Sequence, residues 1–142
     1  MEHRQGSHTI YELQVHLVWI TKYRYCVLSG DIQLRCREII RQVCNSLDIK
    51  ILKGVVSKDH IHLHLSYPPQ LSISEIVKRL KGRSSRLLLA EYPELQRRYW
   101  GNHFWGIGYG SWSTGNITQE LLDAYLSHHK DIPNSDENFI LE

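Results

Sequence analysis

Residues 60–67 read His-Ile-His-Leu-His-Leu-Ser-Tyr, and Pro68-Pro69 follows. Polar and apolar side chains alternate without a break, the pattern of a strand whose two faces meet different surroundings. His60, His62 and His64 leave one face, while Ile61, Leu63 and Leu65 leave the other. The apolar face calls for helices to cover it. The tandem prolines end the strand, because neither supplies an N–H to a ladder.

Working outward, residues 49–57 (IKILKGVVS) read as a second strand, joined to residues 60–67 by the polar pair Lys58-Asp59. Residues 9–20 are rich in β-branched and aromatic side chains and predict the first strand, with residues 22–27 as an extended link. Asp31 is a candidate cap for a helix running to about Ser46, since Ile32, Cys36, Ile39, Ile40 and Val43 recur at helical spacing. Ser72 or Ser74 opens a second helix with the stripe Ile73, Ile76, Val77 and Leu80, continuing past Gly82 toward Ala90. Residues 91–101 read as a connector containing Pro93 and Arg97-Arg98. Residues 102–113 predict a fourth strand, whose glycines signal bulges or a close backbone approach. Gly115-Asn116 is a turn, and Asn116 with Gln119 can cap a last helix to about His129; the tail beyond Ile132-Pro133 reads as frayed. The order β-α-β-β-α-β-α predicts an α+β chain: a ferredoxin-like antiparallel sheet with helices on one face, plus a C-terminal helix carrying Tyr125. Residues 1–142 form one domain, with a core over about 9–130.

A chain of 142 residues, 42% hydrophobic and 23% charged, is long enough for one core and has a globular balance. A net charge of +2 points to no partner by itself. The local distribution is more informative: Lys78, Arg79, Lys81, Arg83 and Arg86 fall within residues 78–86 without an acid. Such a cluster suits nucleic-acid phosphates, with Ser84 and Ser85 as further donors, and Trp100, Phe104, Trp105, Tyr109 and Trp112 could stack on unpaired bases. A solvated basic helix with the aromatics in the core fits the same pattern equally well. Cys26, Cys36 and Cys44 contain no CxxC pair, which argues against a disulfide framework or a cysteine zinc site and predicts buried free thiols. With no signal-peptide core and no apolar run near ~20 residues, the expectation is a soluble, cytoplasmic protein without a membrane partner.

Two constellations carry chemistry. Imidazoles ~7 Å apart along a strand can converge on one divalent ion. By spacing, His60 with His62 and His62 with His64 qualify equally, and a solvated sheet face is the plainer alternative. His3, His8, His16 and His103 show no metal-type spacing, although His16 belongs to a strand expected to be central. On the last helix, Tyr125 shares a face with His129 and neighbours His128. A phenol attacks phosphorus only when something stabilises its anion, and a metal beside it would do so. On the helix alone, Tyr125 packing with Leu122, and histidines favouring the helix C-terminus, is the stronger reading.

Taken together, four stretches resemble the single-tyrosine HUH transposases of the smallest bacterial insertion sequences, the IS200-like family; HUH denotes histidine, a hydrophobic residue, histidine. The stretches are His16-Leu17-Val18-Trp19 followed by Lys22-Tyr23-Arg24; Lys58-Asp59-His60-Ile61-His62-Leu63; Lys81-Gly82-Arg83-Ser84-Ser85-Arg86; and Tyr125 with a polar ligand four residues on. The likeness spans about residues 9–130. DHIH alone would be weak, but four matches in order are specific.

The resemblance implies a metal bound by His60, His62 and His129, with His64 an extra imidazole. Magnesium or manganese is the expected ion, although three histidines are softer ligands than magnesium prefers. It implies that Tyr125 attacks single-stranded DNA beside a hairpin near the element end, forming a 5′-phosphotyrosine and a free 3′-hydroxyl, and that the protein works as a homodimer. Lys78, Arg79, Lys81, Arg83 and Arg86 are the candidate DNA contacts, with Lys22 and Arg24 behind them. Residues 106–116 (GIGYGSWSTGN) hold more glycine than the family pattern leads one to expect, which bears on how the Tyr125 helix hinges. The rivals are a domesticated transposase acting on repeated palindromes, a non-catalytic nucleic-acid-binding regulator on the same fold, and a metallohydrolase using water in place of Tyr125.

Overall fold

The strand at Gln14–Ile20 is the axis of the molecule, because it is paired on both edges. The computed structural model describes residues 3–6, 8–99, 101, 103–113 and 119–127. In chain order these form β1 (Arg4–Gln5), β2 (Ile10–Tyr11), β3 (Gln14–Ile20), a 3-10 turn (Lys22–Arg24), α1 (Gly30–Ser46), β4 (Lys50–Val56), β5 (His60–Ser66), α2 (Ile73–Glu91), α3 (Pro93–Arg98), β6 (Gly110–Trp112) and α4 (Gln119–Ser127). The main sheet runs β4-β5-β3-β6 with every pair antiparallel. This is the ferredoxin-like arrangement that the β-α-β-β-α-β-α order predicts.

The apolar side of β5 behaves as its alternation requires. Ile61, Leu63 and Leu65, with Leu17 and Trp19 of β3, join one core with Ile32, Cys36, Ile39 and Ile40 of α1 and Ile76, Val77, Leu80 and Leu88 of α2. Helix α2 begins as a capped helix should: Ser72 Oγ accepts from the Glu75 N–H at 3.1 Å. It runs through Gly82, which costs about 1 kcal/mol relative to alanine and is carried by the buried stripe on either side.

Some sequence expectations change. Ser29 takes the N-cap position of α1 without a side-chain capping bond, and Asp31 lies inside the first turn, where its charge suits the helix dipole. The connector over residues 91–101 contains α3, which opens on Pro93 at a position that needs no N–H and buries Leu95. A short hairpin, β1–β2, precedes the sheet; Arg4 fixes it by donating to the Ser66 carbonyl at 2.9 Å and to Asp48 Oδ1 at 3.0 Å. The predicted strand over 102–113 shrinks to β6, after a single bridge between Trp105 and Thr21. The physical reason lies in α2. The Lys81 amine donates to the carbonyls of Gly106 (2.7 Å) and Gly108 (3.0 Å), which ties this loop to the helix. Gly108 turns the chain there with φ +85, a value that favours glycine. Cys36 and Cys44 are buried, and burial pushes both thiols up to about 12; Cys26, against expectation, is exposed. Among the described residues no helix is long and apolar enough to cross a membrane. The turn at Gly115, the capping residue Asn116, Trp100, and the tail after residue 127 fall outside what the structure describes.

Ser84 is wholly buried, so it is not the phosphate donor its neighbourhood suggested. Its hydroxyl donates to the Leu80 carbonyl at 2.6 Å and accepts from Trp105 Nε1 at 2.8 Å. Ser84→Ala would strand the indole N–H in the core and is expected to destabilise the fold by about 1–3 kcal/mol, read as a lower urea midpoint at constant m. An unchanged midpoint would contradict this role.

Candidate active site

The second face of the sheet collects the polar chemistry. Pairing sets His16 opposite His64, Val18 opposite His62 and Ile20 opposite His60. On the other edge of β3, Trp112 lies opposite His16 and Gly110 opposite Val18. Direct cross-strand partners share a face, so Gly110, Val18 and His62 form one row across three strands. This face is not the solvated one that the plain reading supposed: His16 is 5% and His60 4% exposed. His16 joins the cluster, stacked on His64 with ring centroids 4.1 Å apart and 5.7 Å from the His62 ring.

Helix α4 lies over the same face. The Cβ that Gly110 lacks would stand 2.6 Å from Trp112 Cη2 and 3.1 Å from Tyr125 Cδ1. The absent side chain at Gly110 therefore leaves a notch filled by the Trp112 ring, with the edge of the Tyr125 ring beside it. Gly110 and His62 are two strands apart in their row, or ~10 Å. Tyr125 is half-buried, and burial pushes its phenol up to about 12.

The histidines differ in their wiring. His60 Nδ1 lies 2.9 Å from Asp59 Oδ1, and Asp59 Oδ2 accepts from Arg24 Nε at 2.9 Å and Nη2 at 2.8 Å. Burial alone would raise the Asp59 pKa, but His60 and Arg24 outweigh it and hold the carboxyl below its usual value. Asp59 is thus an acceptor, His60 Nδ1 carries the proton, and Nε2 is the nitrogen with a lone pair to give. His62 Nε2 is buried and, among the described residues, has no hydrogen-bond partner. Burial, followed by repulsion from His16, His60, Lys53 and His64, pushes His62 down to about 4, so it is neutral at pH 7. A neutral, half-buried imidazole with an unsatisfied Nε2, beside a carboxylate-oriented one, fits a divalent ion. His64 Nε2 is instead 3.0 Å from Gln14 Oε1. His129, the expected third ligand, lies outside the described residues, and no group of three or more metal-type side chains occurs among those described.

The basic residues of α2 divide. Lys78, Arg79, Arg83 and Arg86 are exposed, with Arg79 3.7 Å from Glu75. The Lys81 amine is engaged with the 106–108 loop. Arg86 and Lys81 line a cleft of about 870 Å³ floored by Leu89 and Phe104. Phe104 and Trp105 belong to the core, and Tyr109 and Trp112 are the more accessible aromatics. Arg24, a weak candidate for DNA contact, is buried against Asp59, whereas Lys22 is half-exposed above the Tyr23 ring.

Comparison with known proteins bears on this arrangement. The family model described as "Transposase IS200 like" matches residues 9–129. The chain belongs to the IS200-like transposase family. It is 32% identical over 131 residues to the ISDra2 transposase TnpA of Deinococcus radiodurans, covering 92% of this chain and 94% of that one. It is 32% identical over 122 residues to the transposase for insertion sequence element IS200 of Salmonella typhimurium, covering 86% and 80%. Among solved structures, a crystal structure from Deinococcus radiodurans described as a transposase superposes with TM-score 0.81 at 29% identity, covering 89% of this chain and 97% of that one. A REP-associated tyrosine transposase bound to a REP hairpin shares the fold at TM-score 0.56 and 15% identity, covering 90% and 70%. Membership of the family implies DNA cleavage and strand transfer as the activity of this transposase.

What motif reading missed is the support behind it: Asp59 and Arg24 were visible as the DH and KYR stretches, but nothing in their spacing joins them. A pH response follows for the metal-free protein. His62 has a folded pKa near 4 against an unfolded value of 6.5. The unfolded chain then binds the extra proton between those values, so this residue's contribution is complete above pH 6.5 and disappears as pH falls toward 4. His62→Gln is expected to flatten the loss of stability across that window, monitored by thermal melts; an undiminished slope would assign it to other groups.

Proposed function

We propose that this transposase cleaves single-stranded DNA with Tyr125 as nucleophile, at a site where His60, His62 and His129 hold a divalent ion, magnesium or manganese. The observation that carries the reading is the shared face: the tyrosine helix is seated on the row of residues that ends in His62. Bound there, the ion supplies Lewis-acid polarisation of the scissile phosphate.

The chain's own groups set the rest. Asp59 fixes the His60 ring so that Nε2 is available, and His62 needs no proton removed at neutral pH before it can act as a ligand. Burial keeps the Tyr125 phenol protonated, so it is unreactive until the site acquires positive charge. In the cleavage step the phenolic oxygen forms a bond to phosphorus and loses its proton to solvent. The phosphorus–O3′ bond breaks, and the departing 3′-oxygen gains a proton. A second 3′-hydroxyl reverses this sequence and rejoins the strand; the phosphotyrosine conserves the ester, so no nucleotide cofactor is consumed. The exposed Lys78, Arg79, Arg83 and Arg86 suit phosphate contacts. The substrate proposed is a strand with a hairpin near the element end, and the working unit a homodimer. The fold shared with a hairpin-bound tyrosine transposase supports the hairpin.

The deciding experiment incubates the protein with end-labelled, hairpin-bearing single-stranded DNA and Mn²⁺, and resolves products on a denaturing gel. A covalent adduct is expected, and Tyr125→Phe should reduce it by about 10⁴-fold or more while hairpin binding persists. An adduct that survives this substitution would sink the assignment, and cleavage without adduct would favour water as nucleophile. Neutralising Arg83 and Arg86 together is expected to lower the slope of log K against log salt by about 1.4, from ~0.7 per cation on single strands. An unaltered slope would remove this part of α2 from the DNA interface.

A further inference from the structure

Arg24 is a buried cation, 8% exposed, with its guanidinium divided between two elements. Nε and Nη2 hold Asp59 Oδ2, while Nη1 donates to the Leu126 carbonyl at 3.3 Å. Leu126 directly follows Tyr125 in α4. The other oxygen of Asp59 accepts from His60 Nδ1. One side chain thus touches the orienter of a candidate ligand and the backbone beside the candidate nucleophile.

The backbone is bent to deliver it. Tyr23 and Arg24 are non-glycine residues at φ 62 and φ 51, a conformation that costs roughly 1–2 kcal/mol per residue. Backbone bonds around the turn hold it there: Thr21 N–H donates to the Asp59 carbonyl at 3.0 Å and Leu28 N–H to the Lys58 carbonyl at 2.9 Å, while Thr21 Oγ1 donates to the Tyr25 carbonyl at 2.8 Å. Such strain persists only where surrounding structure enforces it, and it gathers at functional sites.

We propose that Arg24 is a positioning residue that couples the aim of His60, through Asp59, to the seating of the Tyr125 helix, through the Leu126 carbonyl. The inference rests on the roles proposed above for His60 and Tyr125. The guanidinium makes its contacts from separate nitrogens held in one rigid plane, whereas a lysine amine at this position keeps the charge but offers a single nitrogen on a flexible stem.

The test uses the full chain without DNA. Arg24→Lys is first shown to fold by its thermal melt. If it does not, Arg24→Gln combined with Asp59→Asn removes both buried charges together and takes its place. Two quantities are then read: Mn²⁺ affinity by electron paramagnetic resonance, and amide hydrogen exchange of residues 119–127 in metal-free protein. The expected result is Mn²⁺ binding weaker by about 10–100-fold and exchange in α4 faster by ~10-fold, with β3 and β5 unchanged. Wild-type Mn²⁺ affinity or wild-type exchange in α4 would overturn the coupling. A separate control distinguishes failure of the metal reading: if His62→Ala leaves Mn²⁺ binding unaltered in otherwise wild-type protein, the ligand assignment itself is refuted and the link to His60 falls with it, while exchange in α4 still tests the link to the helix.

Discussion

In β5 each side chain must leave the sheet on the face opposite its neighbour, and this constraint organises the molecule. Ile61, Leu63 and Leu65 bind the sheet to α1 and α2, so His60, His62 and His64 have nowhere to go but the second face. A slip of one residue in the β3–β5 register would send every imidazole into the core and every leucine out of it. The energetic cost of such a slip is the whole hydrophobic core, so the same packing that stabilises the fold holds the histidines in place.

Burying polar groups on the second face needs compensation, and the compensation is arranged as a chain. Asp59, with 0% exposure, is held by a guanidinium on one side and an imidazole N–H on the other. A buried pair of this kind adds little net stability, since desolvation offsets most of the attraction, but it fixes directions well. Here it fixes which nitrogen of His60 bears a lone pair. A parallel arrangement holds the 104–108 loop, where Ser84 and Lys81 on one side of α2 anchor the indole of Trp105 and two glycine carbonyls. The basic helix is therefore both a scaffold and a charged surface, with different residues serving each purpose.

The strands and the two long helices were legible in the sequence because each carries a clean period: two in β5, near 3.6 in α1 and α2. The family resemblance also pointed to the right fold and family. The hairpin β1–β2 and the helix α3 are too short for a period to register, and β6 was overextended because aromatic and glycine content does not reveal that Lys81 ties the loop before it to α2. At the site, alternation placed His60 and His62 on one face, but the choice between His62–His64 and His60–His62 needed the resemblance. The partners that distinguish these imidazoles, Gln14 for His64 and Asp59 for His60, are side-chain contacts without a spacing rule. Arg24 was read as a lesser candidate for DNA contact because its burial depends on two left-handed residues that no composition signals. His129 remains a reading of the sequence alone.

The notch at Gly110 has a thermodynamic meaning beyond the room it makes. The edge of the Tyr125 ring lies beside it and the residue stays half-exposed, so the seat recovers only part of the ~2–3 kcal/mol that a fully buried aromatic ring would gain. The seat is thus shallow: it keeps the phenolic oxygen out of water while leaving the rest of the residue partly exposed.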